Sequence, residues 1–389
     1  MIRVAFLLNF PLTYKGGINY IKNLFYAIKE VDNRQIEIVL FVPTDITQEY
    51  IELFLPYVAE VVKVKFLKRG SFTWFLDKVF QKCFNYGVIT DHIIKKNKIN
   101  IISHSSYVSR YSKIKSINWI PDFQYLHYPG LWPVSQLNNT KKHHKYLAEK
   151  SDIIVLSSFD AFKDYKNVYT YLGEKVRVLH FVSQPTSTNS NLGNIDLSLI
   201  ERYSQGKLFF YLPNQFWAHK NHMLVFKAVK ILKSRGYDFL LLTSGVMEDF
   251  RNKNDHIKFL KDYVEENHLS ETIKFLGVIP YDDVLALMKN SRAVINPSYF
   301  EGWSSTVEEA RTLGANLLLS DIPVHREQSP PSSQYFNPDQ EEELANLMEH
   351  HLEFSTKSAA DDYALMRSLS ERTVAFGNTY LGIVKELLH

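Results

Sequence analysis

The sequence predicts an α/β protein built from two doubly wound domains, and three observations carry that prediction. At 389 residues the chain exceeds one ordinary core and suits two domains of average size. Short apolar, β-rich runs alternate with helical patterns along most of it, the signature of parallel sheets covered by helices. Between the two series of runs the composition breaks into a small polar stretch. Hydrophobic residues at 45% and charged residues at 22% are those of a soluble globular chain rather than a disordered one.

The first series of strand-like runs falls at residues 4–8, 36–42, 61–66, 99–103, 116–120, 153–157 and 176–181. Helical periodicity fills several gaps, as at 20–30 and 141–150. Residues 183–206 are rich in Ser, Thr, Asn, Gly and Gln with few large apolar side chains, which reads as a loop or linker. Alternation restarts at 208–212, 239–243, 273–276, 293–295 and 315–319, with helical patterns at 222–235 and 304–313. A closing amphipathic helix spans 369–388, and periodicity alone does not assign it to either domain. The expected division is 1–190, a linker over 191–206, then 207–368, then the terminal helix at 369–389.

Charge is uneven. Residues 1–180 carry 25 Lys and Arg against 15 Asp and Glu, and the remainder carries 20 against 27, so the two halves suit different partners. Cys83 is the single cysteine. It leaves no intrachain disulfide and no cysteine-based zinc site, and a reducing, cytoplasmic compartment is expected. The run at 4–8 is too short for a signal peptide and reads as a buried first strand. Nowhere do about 18 apolar residues run together, so no membrane span is expected. The basic excess lacks a recognisable nucleic-acid module, and no nucleic-acid partner is expected.

The densest motif is Asn-Pro-Ser-Tyr-Phe-Glu-Gly-Trp-Ser-Ser-Thr-Val-Glu-Glu-Ala at 296–310. A strand ends in a polar turn, and a helix starts near Ser304. Such a start presents unpaired amides to an anion, and Glu301 and Glu309 stand on either side of it. A carboxylate accepts sugar hydroxyls in pairs, so one can hold a transferred sugar and the other a ribose. The plainer reading makes Ser304 a helix cap with a solvated acidic face behind it. Upstream, Leu-Pro-Asn-Gln-Phe-Trp-Ala-His-Lys-Asn-His at 212–222 places Asn214 and Gln215 in a turn and Lys220 at a helix start, a natural partner for a leaving diphosphate. Two more strand ends, at Ser244–Gly245 and at Val278, Ile279 and Pro280, fall where open α/β sheets bind ligands.

These motifs, in this order, resemble the C-terminal domain of retaining, two-Rossmann-domain (GT-B) glycosyltransferases of family 4, the glycosyl transferases group 1. The resemblance is firm over 208–326 and looser in the first half. It implies two Rossmann-like domains facing across a cleft, with the last helix crossing back to the first domain. It implies that Glu301 touches the donor sugar, Glu309 the ribose and Lys220 the diphosphate. Backbone at Trp303, Ser304, Ser305 and Thr306 would hold phosphate, Tyr299 and Gly302 would also contact the donor, and Val278 to Pro280 would lie by the base. Many relatives carry an Arg shortly before that Lys; here the positions are Asn214 and Gln215, so diphosphate binding rests more heavily on Lys220.

In the first half, Tyr-Lys-Gly-Gly-Ile-Asn-Tyr at 14–20 follows the first strand. Gly16 and Gly17 let backbone approach a ligand closely, and the resemblance makes this the loop facing the donor phosphate, with Tyr14 and Asn19 toward the acceptor. The cluster Trp-Ile-Pro-Asp-Phe-Gln-Tyr-Leu-His-Tyr-Pro at 119–129 offers Asp122, Gln124 and His127 among aromatic rings, either as a sugar-binding and catalytic loop or as a surface loop packed by its own rings. Relatives place a His where this chain has Pro121, and His127 is the candidate substitute. Lys63, Lys65, Lys68 and Arg69, followed by Phe72, Trp74, Phe75 and Phe80 with Lys78 and Lys82, suit an anionic lipid surface; the same pattern also fits a core helix with a charged outer face.

The expected chemistry is transfer of a sugar, with retention, from a UDP- or GDP-sugar to a glycan or lipid-linked glycan in cell-surface polysaccharide synthesis. No Asp-x-Asp triplet occurs in the chain, so no metal and no further cofactor are expected. A sugar-nucleotide epimerase and a non-catalytic nucleotide-sugar or glycan-binding protein on the same fold are the alternatives. A peripheral place on the cytoplasmic membrane face is the expected location.

Overall fold

The computed structural model describes residues 1–8, 10, 15–31, 35–184, 197–248, 255–354 and 362–388. The chain divides into two compact units. Unit 1 comprises residues 1–123, 135–182 and 370–389, and unit 2 comprises 124–134 and 183–369.

Unit 1 is built on a sheet of β1 (Ile2–Leu7), β2 (Ile36–Pro43), β3 (Glu60–Val64), β4 (Ile101–Ser103), β5 (Lys115–Ile120), β6 (Ile153–Leu156) and β7 (Val176–Val178), in the order β3-β2-β1-β4-β5-β6-β7. All pairings are parallel. The central strands bury nearly every residue because helices cover both faces, which is why they read as continuous apolar runs rather than alternating ones. The order reverses between β1 and β4, and in such sheets the crevice at the carboxyl ends beside that reversal is where ligands bind.

The last helix, Asp362–Glu386, sends its 370–386 part into unit 1. There a Cβ at Gly377 would come within 2.3 Å of the Ala27 carbonyl oxygen on the Lys15–Val31 helix, so only glycine permits that approach. Tyr380 donates to Ser103 Oγ at 2.8 Å, and Arg177 pairs with Glu386.

Unit 2 repeats the plan with β8 (Phe209–Leu212), β9 (Leu240–Ser244), β10 (Ile273–Gly277), β11 (Val294–Asn296), β12 (Leu317–Ser320) and β13 (Ser333–Phe336), in the order β10-β9-β8-β11-β12-β13, again parallel. Its two faces pack separate cores, one around Phe210, Phe226 and Leu241, the other around Tyr211, Leu242 and Leu317.

Three expectations are corrected. The stretch read as a linker, 191–206, contains the Leu197–Ser204 helix; Tyr203 and Arg202 on it bond Asp283 at 2.7 and 3.3 Å, contacts far apart in sequence. The boundary expected after residue 190 lies earlier, since Ser183 and Gln184 already belong to unit 2, as do residues 124–134. Gly16 and Gly17 are not a loop before a helix. They stand in the first turn of the Lys15–Val31 helix, where the apolar period of the following residues carries the helix back over them.

Candidate functional site

The site of unit 2 is assembled at the carboxyl ends of β8, β9, β11 and β12. β11 delivers Asn296, and the chain turns through Pro297 to Glu301 before entering the Ser305–Thr312 helix. Ser304 caps that helix: its Oγ accepts from Val307 N at 3.4 Å and from Asn296 Nδ2 at 2.8 Å. The cap leaves the amides of Ser305 and Thr306 without an intrahelical carbonyl. Gln328 braces the same start, accepting from Ser304 N at 3.3 Å and donating to Ser304 O at 3.0 Å and to Glu308 Oε1 at 3.2 Å.

Lys220 ends a short 3-10 turn after β8, and its Nζ donates to Glu301 Oε1 at 2.6 Å. Both side chains are largely buried, at 13% and 9% exposure. Ser298 Oγ donates to the same Oε1 at 2.7 Å, so among the described residues Oε2 keeps its lone pairs for another donor. Burial pushes the Glu301 carboxyl up, but the Lys220 ammonium, the His325 ring and the Ser298 hydroxyl together outweigh it and hold the group below the usual carboxylate range. The carboxylate is therefore ionised at neutral pH.

Glu309 is the opposite case. Burial raises its pKa to about 7, against bonds from Tyr281 and Ser183 that favour the charged form. Tyr281 OH donates at 2.9 Å and Ser183 Oγ at 3.5 Å, both to Oε1. The two acids, eight positions apart, are thus tuned in opposite directions: one has an ammonium beside it and the other only hydroxyls.

His325 lies under Glu301. Its Nδ1 is 2.9 Å from the Ser320 carbonyl, which can only accept, so Nδ1 carries the proton. Burial lowers its pKa against the pull of the Glu301 charge, and Nε2 is buried without a hydrogen-bond partner among the described residues. Ser320 Oγ donates to Ser298 O at 2.6 Å, closing a path from Lys220 through Glu301 and Ser298 to His325.

The other donor candidates gather round this core. Asn214 is buried, donating to Asn296 Oδ1 at 3.2 Å and accepting from Thr306 Oγ1 at 3.4 Å. Gln215 Oε1 accepts from Val246 N at 3.1 Å, and Ser244 Oγ meets Tyr211 OH at 2.6 Å. Gly245 sits at φ 151°, where a Cβ would fall 2.3 Å from the Asn214 carbonyl oxygen; glycine is what lets these two strand ends approach. Val278 and Pro280 are exposed beyond β10, with Ile279 half-buried between them. Gly302, Trp303 and Ser305 are half-buried at the helix start.

The first-half candidates separate. Gly16, Gly17, Asn19 and Asp122 belong to unit 1, whereas Gln124 and His127 belong to unit 2. Tyr14 lies outside the described residues. Gln124 is buried, and the His127 ring lies 5.2 Å from that of Phe300, next to Glu301. Tyr128 OH donates to Tyr299 O at 3.4 Å, and Tyr299 OH to Asp339 at 3.1 Å.

Sequence reasoning missed Tyr281, Ser183, Ser298, His325 and Gln328. Ser298 lay inside the quoted 296–310 motif and Tyr281 directly after Pro280, so position was a usable signal for both. Ser183 is 126 residues from its partner, and no local pattern points to it.

Residues 200–361 match the family described as Glycosyl transferases group 1, so the chain carries a domain of that class. Among curated proteins, the O-antigen chain mannosyltransferase RfbU of Salmonella typhimurium is 26% identical over 133 residues, 34% of this chain and 35% of that protein; the match spans about a third of the relative's length. Similar solved structures include a glycosyltransferase from Rickettsia africae (TM-score 0.68, 14% identity, 100% of this chain and 98% of that one). Another is HepE of Anabaena in complex with UDP-glucose (TM-score 0.68, 13% identity, 100% and 99%). The fold is that of the GT-B glycosyltransferases, with two Rossmann-like parallel sheets.

Proposed function

We infer that the protein transfers a sugar, with retention and without a metal ion, from a UDP- or GDP-sugar to a glycan or lipid-linked glycan acceptor of cell-surface polysaccharide. The observation that carries this is the buried Lys220–Glu301 pair at 2.6 Å, set beside a helix start with amides to offer.

A diphosphate seated on the Ser305 and Thr306 amides competes for the Lys220 ammonium. As Lys220 turns to the phosphate, Glu301 is released to accept hydroxyls of the transferred sugar. Cleavage of the anomeric bond places charge on the departing diphosphate, which Lys220 and the helix amides stabilise. Glu309, deprotonated, accepts the ribose hydroxyls; with its pKa near 7, donor affinity rises as pH passes upward through that value. His127, whose ring lies beside that of Phe300, acts on the acceptor side together with Gln124. Asn214 and Thr306 shape the phosphate floor, and Val278 to Pro280 flank the base.

The test is Glu301→Gln assayed for product and for donor binding. Turnover should fall about 10²–10³-fold while a nucleoside diphosphate still raises thermal stability; normal turnover would remove Glu301 from the chemistry. Turnover lost to a chelator and restored by manganese would overturn the metal-independent part alone.

A further inference from the structure

One motif remains unused by this chemistry, the basic and aromatic stretch at 63–84. In the structure it runs from the end of β3 through a 3-10 turn at Lys65–Leu67 into the Phe72–Phe84 helix. The helix has two distinct sides. Phe72, Phe75 and Val79, spaced i, i+3, i+7 and so on one face, are 78%, 61% and 39% exposed. Trp74, Asp77, Lys78 and Gln81, at i, i+3, i+4, i+7, share another face, and all four line a cavity of about 180 Å³. Leu7 at the end of β1 and Ser105 after β4 close that cavity from below, so it occupies the carboxyl edge of the sheet.

The inner face is fastened. Asp77 is buried, and its carboxylate accepts from Ile89 N at 2.9 Å, Thr90 N at 3.2 Å and Thr90 Oγ1. It thereby caps the start of the Val88–Lys96 helix. The rings at 72 and 75 are not awaiting a place in the core, because the side of the helix that faces the protein is already taken. Their surroundings are cationic. Residues 63–84 hold six Lys and Arg against one acid, and that acid is the buried Asp77. The Val134–Lys150 helix stands beside the end of this one, Tyr146 OH donating to Asn85 O at 3.2 Å, and it adds exposed Lys141, Lys142 and Lys145.

We propose that this helix is a docking surface for an anionic bilayer, with Phe72, Phe75 and Val79 entering the head-group boundary and Lys82 with the lysines of the Val134–Lys150 helix meeting lipid phosphates. Apolar side chains on one face of a helix with a cationic border are what holds a helix in a membrane interface, and the charge complements an anionic leaflet rather than a neutral one. Docking holds the cavity about one helix diameter, roughly 10–12 Å, from the lipid surface. That level suits an acceptor whose glycan is anchored in the same membrane. The proposal stands apart from the donor site in unit 2.

The experiment is flotation of the full-length protein with vesicles of phosphatidylcholine alone and of phosphatidylcholine and phosphatidylglycerol in equal parts. The wild type should float with the anionic vesicles, and release on raising salt. Phe72→Ser/Phe75→Ser should weaken that partition about tenfold or more, and Lys82→Gln/Lys142→Gln about tenfold. Equal binding to neutral vesicles, no binding to either, or undiminished binding by the Phe variant each overturns the proposal. Nucleoside-diphosphate thermal shifts on the same samples report on the donor site separately, so a protein that binds nucleotide but no vesicle loses this inference and keeps the proposed function.

Discussion

Lys220 and Glu301 neutralise each other in a place where neither charge would be tolerated alone. Removing one partner of such a pair costs about 3–5 kcal/mol, because the other stays buried and uncompensated. Lys220→Met should therefore lower unfolding free energy by roughly 3 kcal/mol in urea titrations. Lys220→Met/Glu301→Gln should lose less than the two single variants together; simple additivity would mean the pair is not coupled. Glu309 has the reverse sign. Its folded pKa near 7 lies above its unfolded value, so the folded state holds the extra proton between the two. Stability is then highest below the unfolded pKa and falls as pH rises toward 7, by roughly 3 kcal/mol for a shift of this size. Glu309→Gln should flatten that slope in stability measured from pH 4 to pH 8 (about the span the two values set); an unchanged slope would place the titration elsewhere.

At the scale of elements, two contacts hold unit 1 together where no pattern announces them. Asp77 lies on one helix and caps the next; Asp77→Ala leaves the half-buried amide of Ile89 and the buried amide of Thr90 without this acceptor and should cost about 2–3 kcal/mol. Gly377→Ala would push a Cβ to 2.3 Å from the Ala27 carbonyl. The last helix must then move off the Lys15–Val31 helix, and the melting temperature should drop by several degrees, as expected for about 1–3 kcal/mol of overpacking. A variant melting like the wild type would show that this helix does not hold the unit. Most buried strands were readable within two or three residues, because both faces of each are covered. β13 was not read: Ser333–Phe336 is an edge strand with polar residues, pairs with β12 alone among the described residues, and carries little apolar signal.

At the scale of the whole chain, each unit is a parallel sheet with its candidate ligand positions at the carboxyl edge. A nucleoside diphosphate that binds only the folded protein stabilises it by about 2.7 kcal/mol at a hundred times its dissociation constant. Screening UDP, GDP and ADP by thermal shift should therefore single out the donor base, and a flat response to all three would contradict the proposed function. Residues 124–134 sharpen the point about organisation. They are flanked by unit 1 on both sides in sequence yet belong to unit 2, packing His127 and Tyr128 on the loop that carries Glu301.

The sequence by itself determined the class of fold, where most strands fall along the chain and the motif at 296–310, because periodicity, helix starts and strand ends are local properties of the chain. Only the tertiary structure decided which groups share an environment. Ser183 and Tyr281 reach Glu309, His325 settles beneath Glu301, and Phe72 and Phe75 are left facing water. Those outcomes depend on what lies beside a residue in space, and a buried acid keeps or loses its proton according to neighbours as far as 126 residues away in the chain.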